Sequence, residues 1–186
     1  MNPPWYERLK KSIAKNKRDS HNRYFQLATT ATDGTPRVRM VVFRGFVEDG
    51  LSLSIITDAR SQKISELTSC TRVEISWYFT HTREQYRLRC VSKIYSASDA
   101  SLDSAVQREK MWSALSEAAR AQFFWNTPGV PEGTGNAPTV TSSPPDTFVV
   151  IVFEPRSVDH LVLAKQQTRT RSAFGDTGWT EEALNP

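Results

Sequence analysis

The stretch YFQLATTATDGTPRVRMVVF, residues 24–43, determines the fold class of this 186-residue chain. Two runs of strand-forming residues, 24–30 and 37–43, flank the segment ATDGTP, which places Asp33 and Gly34 at its tip. An Asp-Gly pair between two such runs is typical of a tight turn between antiparallel strands. The stretch therefore predicts a β-hairpin.

The strand pattern continues beyond this hairpin. A second Asp-Gly turn at Asp49 and Gly50 precedes a run of apolar residues, and later segments again alternate apolar and polar residues. The further predicted strands are 51–57, 71–79, 85–95, 147–155, 158–164 and about 168–174. Short turns between antiparallel strands, without alternating helices, favour a closed or nearly closed β-barrel over a parallel sheet.

Three segments predict helices that flank the barrel. The first begins at Pro3 and Pro4, runs to about Lys17 and places Trp5, Leu9 and Ile13 on one face. The second, DARSQKISEL, has Asp58 or Ser61 as its capping residue. The third covers about 101–125; its expected buried residues are Leu102, Val106, Trp112, Leu115 and Phe123. The Pro-, Gly- and Ser-rich segment 126–146 predicts a long surface loop.

Composition indicates one folded domain covering residues 1–186, with 38% apolar and 24% charged residues. No stretch reaches the roughly 18 apolar residues of a membrane span, and the first residues lack the apolar core of a secretory signal, so we expect a cytoplasmic protein with no membrane partner.

His21, His81 and His160 are far apart in sequence and have no cysteine or carboxylate at ligand spacing, so we expect them at the surface and expect no metal site.

Arginines bracket the apolar centre of RVRMVVFRGF, residues 37–46. Strand geometry places Arg39 and Arg44 on opposite faces, so they either reach water from a barrel rim or contact the two ends of a flat ligand. In the segment TDARSQK, residues 57–63, hydroxyl groups, Lys63 and the first amides of a helix lie close together. Such donors suit a phosphate, although an ordinary helix cap would have the same residues.

Four segments in order resemble the pyridoxamine 5'-phosphate oxidase family. They are RMVVFR after the hairpin, IITDARSQKISEL, REQYRL, and GWTEEALNP preceded by RTR. The segment ARAQFFWNTPG is similar to a branch of flavin-binding proteins related to that oxidase. The resemblance covers about Trp5 to Pro186. It implies a mainly β protein with flanking helices, an antiparallel split β-barrel that binds FMN at a homodimer interface.

The resemblance also implies roles for individual residues. Arg39 and Lys63 would contact the FMN phosphate beside Ser61 and Gln62, although Gln62 stands where the family has a second basic residue. Met40, Val41, Val42 and Phe43 would run beneath the ring, and Ile56 and Thr57 match a pair on the next strand. Gln85 would hydrogen-bond the polar edge of the ring, and Arg171 would reach it from the partner subunit. The candidate substrate residues are Arg44, Arg120 and Arg169.

Two positions on the substrate side differ from the family pattern. Leu161 stands where the oxidase has a tryptophan that packs on the flavin, and Gln167-Thr168-Arg169 replaces an Arg-x-His substrate motif. We therefore expect FMN binding and an oxidoreductase that acts on a small molecule. A non-catalytic module that binds flavin or a tetrapyrrole is the alternative, and binding of single-stranded nucleic acid ranks last because the basic residues suit one small anion.

Overall fold

The computed structural model describes residues 2–47, 50–131 and 140–186. In these residues the chain forms nine β-strands, four α-helices and two short 3₁₀ helices. The strands are β1 Tyr24–Thr30, β2 Pro36–Val42, β3 Gly45–Phe46, β4 Leu53–Asp58, β5 Arg72–Phe79, β6 Glu84–Tyr95, β7 Phe148–Val162, β8 Thr168–Gly175 and β9 Gly178–Leu184. The helices are α1 Pro4–Lys15, α2 Gln62–Ser69, α3 Leu102–Ser113 and α4 Glu117–Ala121, with 3₁₀ helices at Ser20–Arg23 and Gln122–Phe124.

The described strands form one sheet in which every pair is antiparallel. Its order is β2-β1-β5-β6-β7-β4-β3, and β8 and β9 extend it from β7. The hairpin expected at 24–43 is confirmed as β1 and β2, joined by a turn in which Gly34 has φ of +83°. Only glycine adopts that backbone conformation readily. The second Asp-Gly turn is described only from Gly50 onward, because Asp49 lies outside the described residues.

Strand β7 connects the two halves of the structure. The sequence predicted two strands here, but residues 148–162 form a single strand that crosses a register shift opposite Arg89 and Cys90 of β6. Its first half pairs with β4, and its second half pairs with β8. Residues 148–153 are apolar without alternation because both of their faces are covered.

One face of β7 packs inside the barrel. The barrel core includes Phe25, Leu27, Ile75, Trp77, Leu88 and Ile151, together with Trp5 and Leu9 from α1. Both α1 residues are fully buried and Ile13 is partly buried, so the apolar face expected from the sequence is confirmed. Helix α1 therefore packs over one part of the barrel core.

The other face of β7 packs against the region after β6. Phe148, Val150 and Val152 form one apolar cluster with Trp112 and Phe123. The single helix expected at 101–125 is divided into α3 and α4, because the hydroxyl group of Ser116 caps a new helix by accepting from the Ala119 amide. The expectation that Leu102 and Val106 are buried was wrong, since α3 turns them to solvent, where they are 80% and 51% exposed.

Strand β9 was not predicted from the sequence, because Glu181 and Glu182 interrupt its alternation of apolar and polar residues. It is held by its pairing with β8 and by ion pairs of those two carboxylates with Arg8 and Arg171. The expected surface loop at 126–146 is described only for 126–131 and 140–146, which contain no helix or strand.

His160 also departs from the sequence expectation, because it is buried on β7 and stacks on Tyr86 with ring centroids 4.3 Å apart. No group of three or more metal-ligating side chains occurs in the described residues. Within the same residues, no helix is long and apolar enough to span a membrane.

Candidate functional site

The start of α2 gathers several of the residues that the sequence singled out. Ser61 is the N-cap residue of α2, but its hydroxyl group accepts no hydrogen bond from a backbone amide of the helix. It instead accepts a hydrogen bond of 2.6 Å from the ammonium of Lys63, which also donates to the hydroxyl group of Thr57 at 2.8 Å. The amides of Gln62 and Lys63 have no acceptor inside the helix, whereas that of Ile64 donates to the Ser61 carbonyl group at 2.9 Å. This arrangement presents several hydrogen-bond donors at one point.

Arg39 reaches the same region from β2. It lies opposite Leu27 of β1, and its side chain is on the inner side of the sheet, as is that of Val41. Its guanidinium donates to the Thr29 hydroxyl group and to a carboxylate oxygen of Glu66 at 2.6 Å. The side chain of Glu66 is only 6% exposed. Arg39 is therefore fixed by a buried acid from α2.

The charges of this region are coupled. Burial lowers the pKa of Lys63, the positive charge of Arg39 lowers it further, and Glu66 and Asp58 act in the opposite direction. Burial would raise the pKa of Glu66, but hydrogen bonds from Thr29 and Arg39 outweigh it and leave that pKa lowered. Arg39 and Lys63 thus lie in one electrostatic environment. We name Arg39, Thr57, Ser61, Lys63 and Glu66 the Arg39–Lys63 cluster.

Glu66 is the member of this cluster that sequence reasoning missed. It stands three residues after Lys63, and that spacing places both side chains on the same side of α2. A partly buried arginine requires a counter-ion, so an acid on the helix that carries Lys63 was the signal that could have found Glu66.

The ring-contact residues predicted from the resemblance lie along the edge of the sheet. β2 pairs with β1 on one side and ends the strand order on the other, so that within the described residues its second edge is hydrogen-bonded to no strand. Val41 is buried in the core, whereas Met40 is 54% exposed. Val42 and Phe43 are half-buried. A flat ligand placed along this edge would meet main-chain groups and the Met40 side chain.

The neighbouring strand β4 supplies Ile56 and Thr57. Ile56 is half-buried and packs against the apolar cluster that includes Trp112 and Phe148. Thr57 is buried, and its hydroxyl group accepts a hydrogen bond from Lys63. The structure therefore brings Thr57, Ser61 and Lys63 into direct contact, as the sequence hypothesis required.

Arg44 lies just beyond β2, where its backbone amide donates to Ser54 at 2.9 Å. Its side chain is exposed at one side of a cavity of about 310 Å³. Partial burial, and then the positive charge of Arg23, lower the pKa of Arg44. Arg44 is thus separate from the hydrogen-bonded contacts of the Arg39–Lys63 cluster.

A second group of predicted residues lies elsewhere on the sheet. Gln85 on β6 faces Leu161 on β7, and Leu161 faces Arg169 on β8. Arg169 forms a two-pronged ion pair with Asp159, with its shortest distance at 2.7 Å. Arg171 pairs with Glu182 at 2.6 Å and is half-exposed. We name Gln85, Arg169 and Arg171 the outer-face group.

The two groups are far apart in one chain. Thr57 of the Arg39–Lys63 cluster lies beside Val149, whereas Gln85 and Arg169 lie beside Leu161 and Arg171 lies beside Asp159. These β7 residues are ten to twelve positions from Val149, which corresponds to about 33–40 Å along an extended strand. A single subunit therefore keeps the two groups at different ends of β7.

Arg120 belongs to neither group. Its guanidinium donates to the Trp112 and Ser113 carbonyl groups, each at 3.1 Å, and lies 5.5 Å from the centre of the Trp112 ring. These contacts join α4 to the end of α3, so the structure places this candidate substrate residue in a helix-capping position.

Comparison with known proteins identifies the family of this chain. Residues 2–96 match the family model described as pyridoxamine 5'-phosphate oxidase, FMN-binding domain. The Arabidopsis thaliana protein named pyridoxine/pyridoxamine 5'-phosphate oxidase 2 is 36% identical over 192 residues, which cover 98% of this chain and 97% of that relative. A Rhizobium meliloti pyridoxine/pyridoxamine 5'-phosphate oxidase is 27% identical, and the match covers 86% of this chain and 81% of that relative.

Solved structures support the same assignment. A Nostoc punctiforme protein described as pyridoxamine 5'-phosphate oxidase-related and FMN binding superposes with a TM-score of 0.94 at 36% identity, with 100% of both chains covered. PhzG from Burkholderia lata superposes with a TM-score of 0.78 at 18% identity, over 100% of this chain and 98% of its own, which shows the split-barrel fold alone. The chain therefore belongs to the pyridoxamine 5'-phosphate oxidase family, and its cofactor is FMN.

Proposed function

We propose that this protein is an FMN-dependent oxidoreductase that acts on a small-molecule substrate as a homodimer. In this proposal the whole chain, residues 1–186, is one domain. The protein is located in the cytoplasm, and cell fractionation tests this location. FMN supplies the redox chemistry when bound. The protein's own residues bind the phosphate, position the ring and admit the substrate.

The phosphate position follows from the donor chemistry of the Arg39–Lys63 cluster. Lys63, the Ser61 hydroxyl group and the first amides of α2 converge, and the positive end of the helix dipole faces the same point. A phosphate there would favour the charged form of Lys63 and so oppose the lowering of its pKa by burial and by Arg39. These residues fit the phosphate of FMN. The ring would then follow the free edge of β2 from Met40 to Phe43, with Ile56 and Thr57 on the neighbouring strand.

The observation that carries the dimer proposal is the separation of the two residue groups along β7. If Gln85 and Arg171 contact the same FMN as Lys63, they must come from different chains. A two-fold dimer satisfies this requirement, because it brings the outer-face group of one subunit to the cluster of the other. Arg169 would stand beside Arg171, on the substrate side.

Complementation between two variants tests the shared site. We expect Lys63→Gln and Arg171→Gln each to weaken FMN binding when purified alone. After unfolding and refolding of an equal mixture, half of the dimers would be mixed, and about a quarter of all sites would regain both wild-type residues. Recovery of tight FMN binding at that level supports the proposal. If the mixture binds FMN no better than the separate variants, the site is not shared between subunits.

Reductive turnover tests the oxidoreductase proposal. The FMN-loaded protein should lose its yellow colour with a reduced nicotinamide or an oxidisable amine or alcohol and regain it with oxygen. A yellow protein that dithionite bleaches, but that no such reductant changes, would instead be a flavin-binding module.

A further inference from the structure

Two polar residues of α1 contact the sheet from the side opposite the outer-face group. Helix α1 buries Trp5 and Leu9 against the barrel core, whereas Arg8 and Ser12, one helical turn apart, meet polar residues of β6, β8 and β9. Ser12 is 2% exposed, and the side chain of Arg8 is 31% exposed. Neither residue belongs to the Arg39–Lys63 cluster or to the outer-face group.

Ser12 contacts the two residues that flank Gln85 on β6. Its hydroxyl group is hydrogen-bonded to a carboxylate oxygen of Glu84 and lies 2.9 Å from the Tyr86 hydroxyl group. Successive residues of a strand point to opposite faces of the sheet, so Glu84 and Tyr86 point toward α1 while Gln85 points away from it. Ser12 therefore holds both chain neighbours of Gln85 from the inner face.

Arg8 makes the corresponding contacts on β8 and β9. Its guanidinium forms a two-pronged ion pair with Glu181, with one N–O distance of 3.1 Å, and donates to the Thr170 hydroxyl group at 3.4 Å. The Ser172 hydroxyl group donates to the same carboxylate at 2.6 Å. Thr170 and Ser172 are the chain neighbours of Arg171, and Ser172 lies opposite Glu181 in the β8–β9 ladder. Arg8 therefore holds this part of β8 from the inner face, directly or through Glu181.

The contacts from α1 matter most for β8 and β9, because these strands lie at an edge of the sheet. Among the described strands, β9 pairs only with β8, and β8 joins the rest of the sheet through β7. Trp179 of β9 packs on Trp5 of α1, with ring centroids 5.3 Å apart. Hydrogen bonds from Arg8 and Ser172 lower the pKa of Glu181 against the opposing effect of burial, so this carboxylate is ionised at neutral pH.

We propose that Arg8 and Ser12 are positioning residues that act on FMN binding through Arg171 and Gln85. Arg8 fixes the strand that carries Arg171, and Ser12 fixes the strand that carries Gln85. This inference rests on the proposed function, because it assumes that the outer-face group of one subunit contacts the FMN of the other. Positioning affects affinity because a hydrogen bond weakens steeply when its donor and acceptor are misaligned.

A double-mutant cycle on FMN affinity tests the role of Arg8. We expect Arg8→Gln to weaken FMN binding about five-fold in the wild-type background but less than about two-fold in the Arg171→Gln background, where the residue that it positions is missing. In the Lys63→Ala background the loss should again be about five-fold, because Lys63 belongs to the separate Arg39–Lys63 cluster. A general weakening of the fold would reduce affinity by the same factor in every background. The difference between backgrounds therefore separates positioning from stability.

A second cycle tests Ser12, and two further variants serve as controls. Ser12→Ala should weaken FMN binding about three-fold alone and less than about two-fold in the Gln85→Ala background. Lys11→Gln removes a positive charge from an exposed residue of the same helix and should leave FMN affinity unchanged. Arg8→Lys keeps the charge beside Glu181 and should restore part of the affinity that Arg8→Gln loses. Fluorescence titration measures affinity, and circular dichroism checks that each variant is folded under the same conditions.

The results distinguish failure of this inference from failure of the proposed function. If Arg8→Gln has the same effect in all three backgrounds, or no more effect than Lys11→Gln, the inference is overturned. The proposed function then stands as long as Arg171→Gln and Gln85→Ala each weaken FMN binding. If neither of these two variants weakens it, the outer-face group does not contact the flavin, and the shared site and the inference fail together.

Discussion

The ion pair between Arg39 and Glu66 leads to a prediction about stability as well as about FMN binding. Arg39→Ala removes the cation from a carboxylate that is 6% exposed, together with hydrogen bonds to Thr29 and Glu66. The loss of one partner of a buried pair costs about 3–5 kcal/mol because the other charge remains uncompensated. Arg39 itself is 24% exposed, so water enters the site in part and we expect about 3 kcal/mol.

A double-mutant cycle isolates this effect. Glu66→Gln keeps a hydrogen-bonding group beside Thr29 but removes the negative charge, so we expect it to cost about 1–2 kcal/mol. In the double variant Arg39→Ala/Glu66→Gln, neither member of the pair is left as a charge without its partner. Its loss of stability should therefore be about 2 kcal/mol smaller than the sum of the two single losses.

Urea denaturation of the FMN-free variants at neutral pH measures these free energies of unfolding. FMN must be absent, because a bound ligand would add its own stabilisation. If the losses of the two single variants add to within about 0.5 kcal/mol, the two residues do not interact and the reasoning about the cluster is refuted.

Two further predictions concern Glu84 and Arg44. Burial would raise the pKa of Glu84, but the nearby His160 ring and hydrogen bonds from Ser12 and Thr82 lower it from 4.5 to about 2. Stability from Glu84 is then fully present above pH 4.5 and is lost as the pH falls toward 2, so Glu84→Gln should cost about 3 kcal/mol at pH 7 and little near pH 2 in denaturation experiments. A cost that does not change between these pH values would contradict the role of ionised Glu84. Arg44→Gln should lower turnover about ten-fold or more while FMN affinity stays within about two-fold, as steady-state kinetics and FMN titration will measure; a larger loss of FMN would place Arg44 in the cofactor site instead.

The sequence predicted those parts of the fold that depend on local pattern. The Asp33-Gly34 turn between two strand-forming runs was enough for the first hairpin, and the spacing of Trp5 and Leu9 was enough for the buried face of α1. The convergence of Thr57, Ser61 and Lys63 also follows from local structure, since a strand end and a helix start are adjacent in the chain.

Features that depend on distant contacts were not predictable in this way. Glu66 is buried because Arg39, from a strand 27 residues earlier, pairs with it. His160 is buried because Tyr86 stacks on it, and Leu102 is exposed because only one side of α3 meets β7. In the proposed dimer, no local pattern records which chain would supply Gln85 and Arg171 to a site, because that depends on how the two subunits meet.

The relative affinity for FMN and riboflavin is the most direct test of whether Arg39 and Lys63 hold the phosphate, because the two ligands share the ring and differ by that group. We expect wild type to bind FMN at least about 100-fold more tightly than riboflavin, since two or more charged hydrogen bonds are involved. Lys63→Ala should lose about ten-fold or more of FMN affinity, with riboflavin affinity unchanged. Equal affinity of wild type for both ligands, or an equal loss of both in Lys63→Ala, would contradict the account.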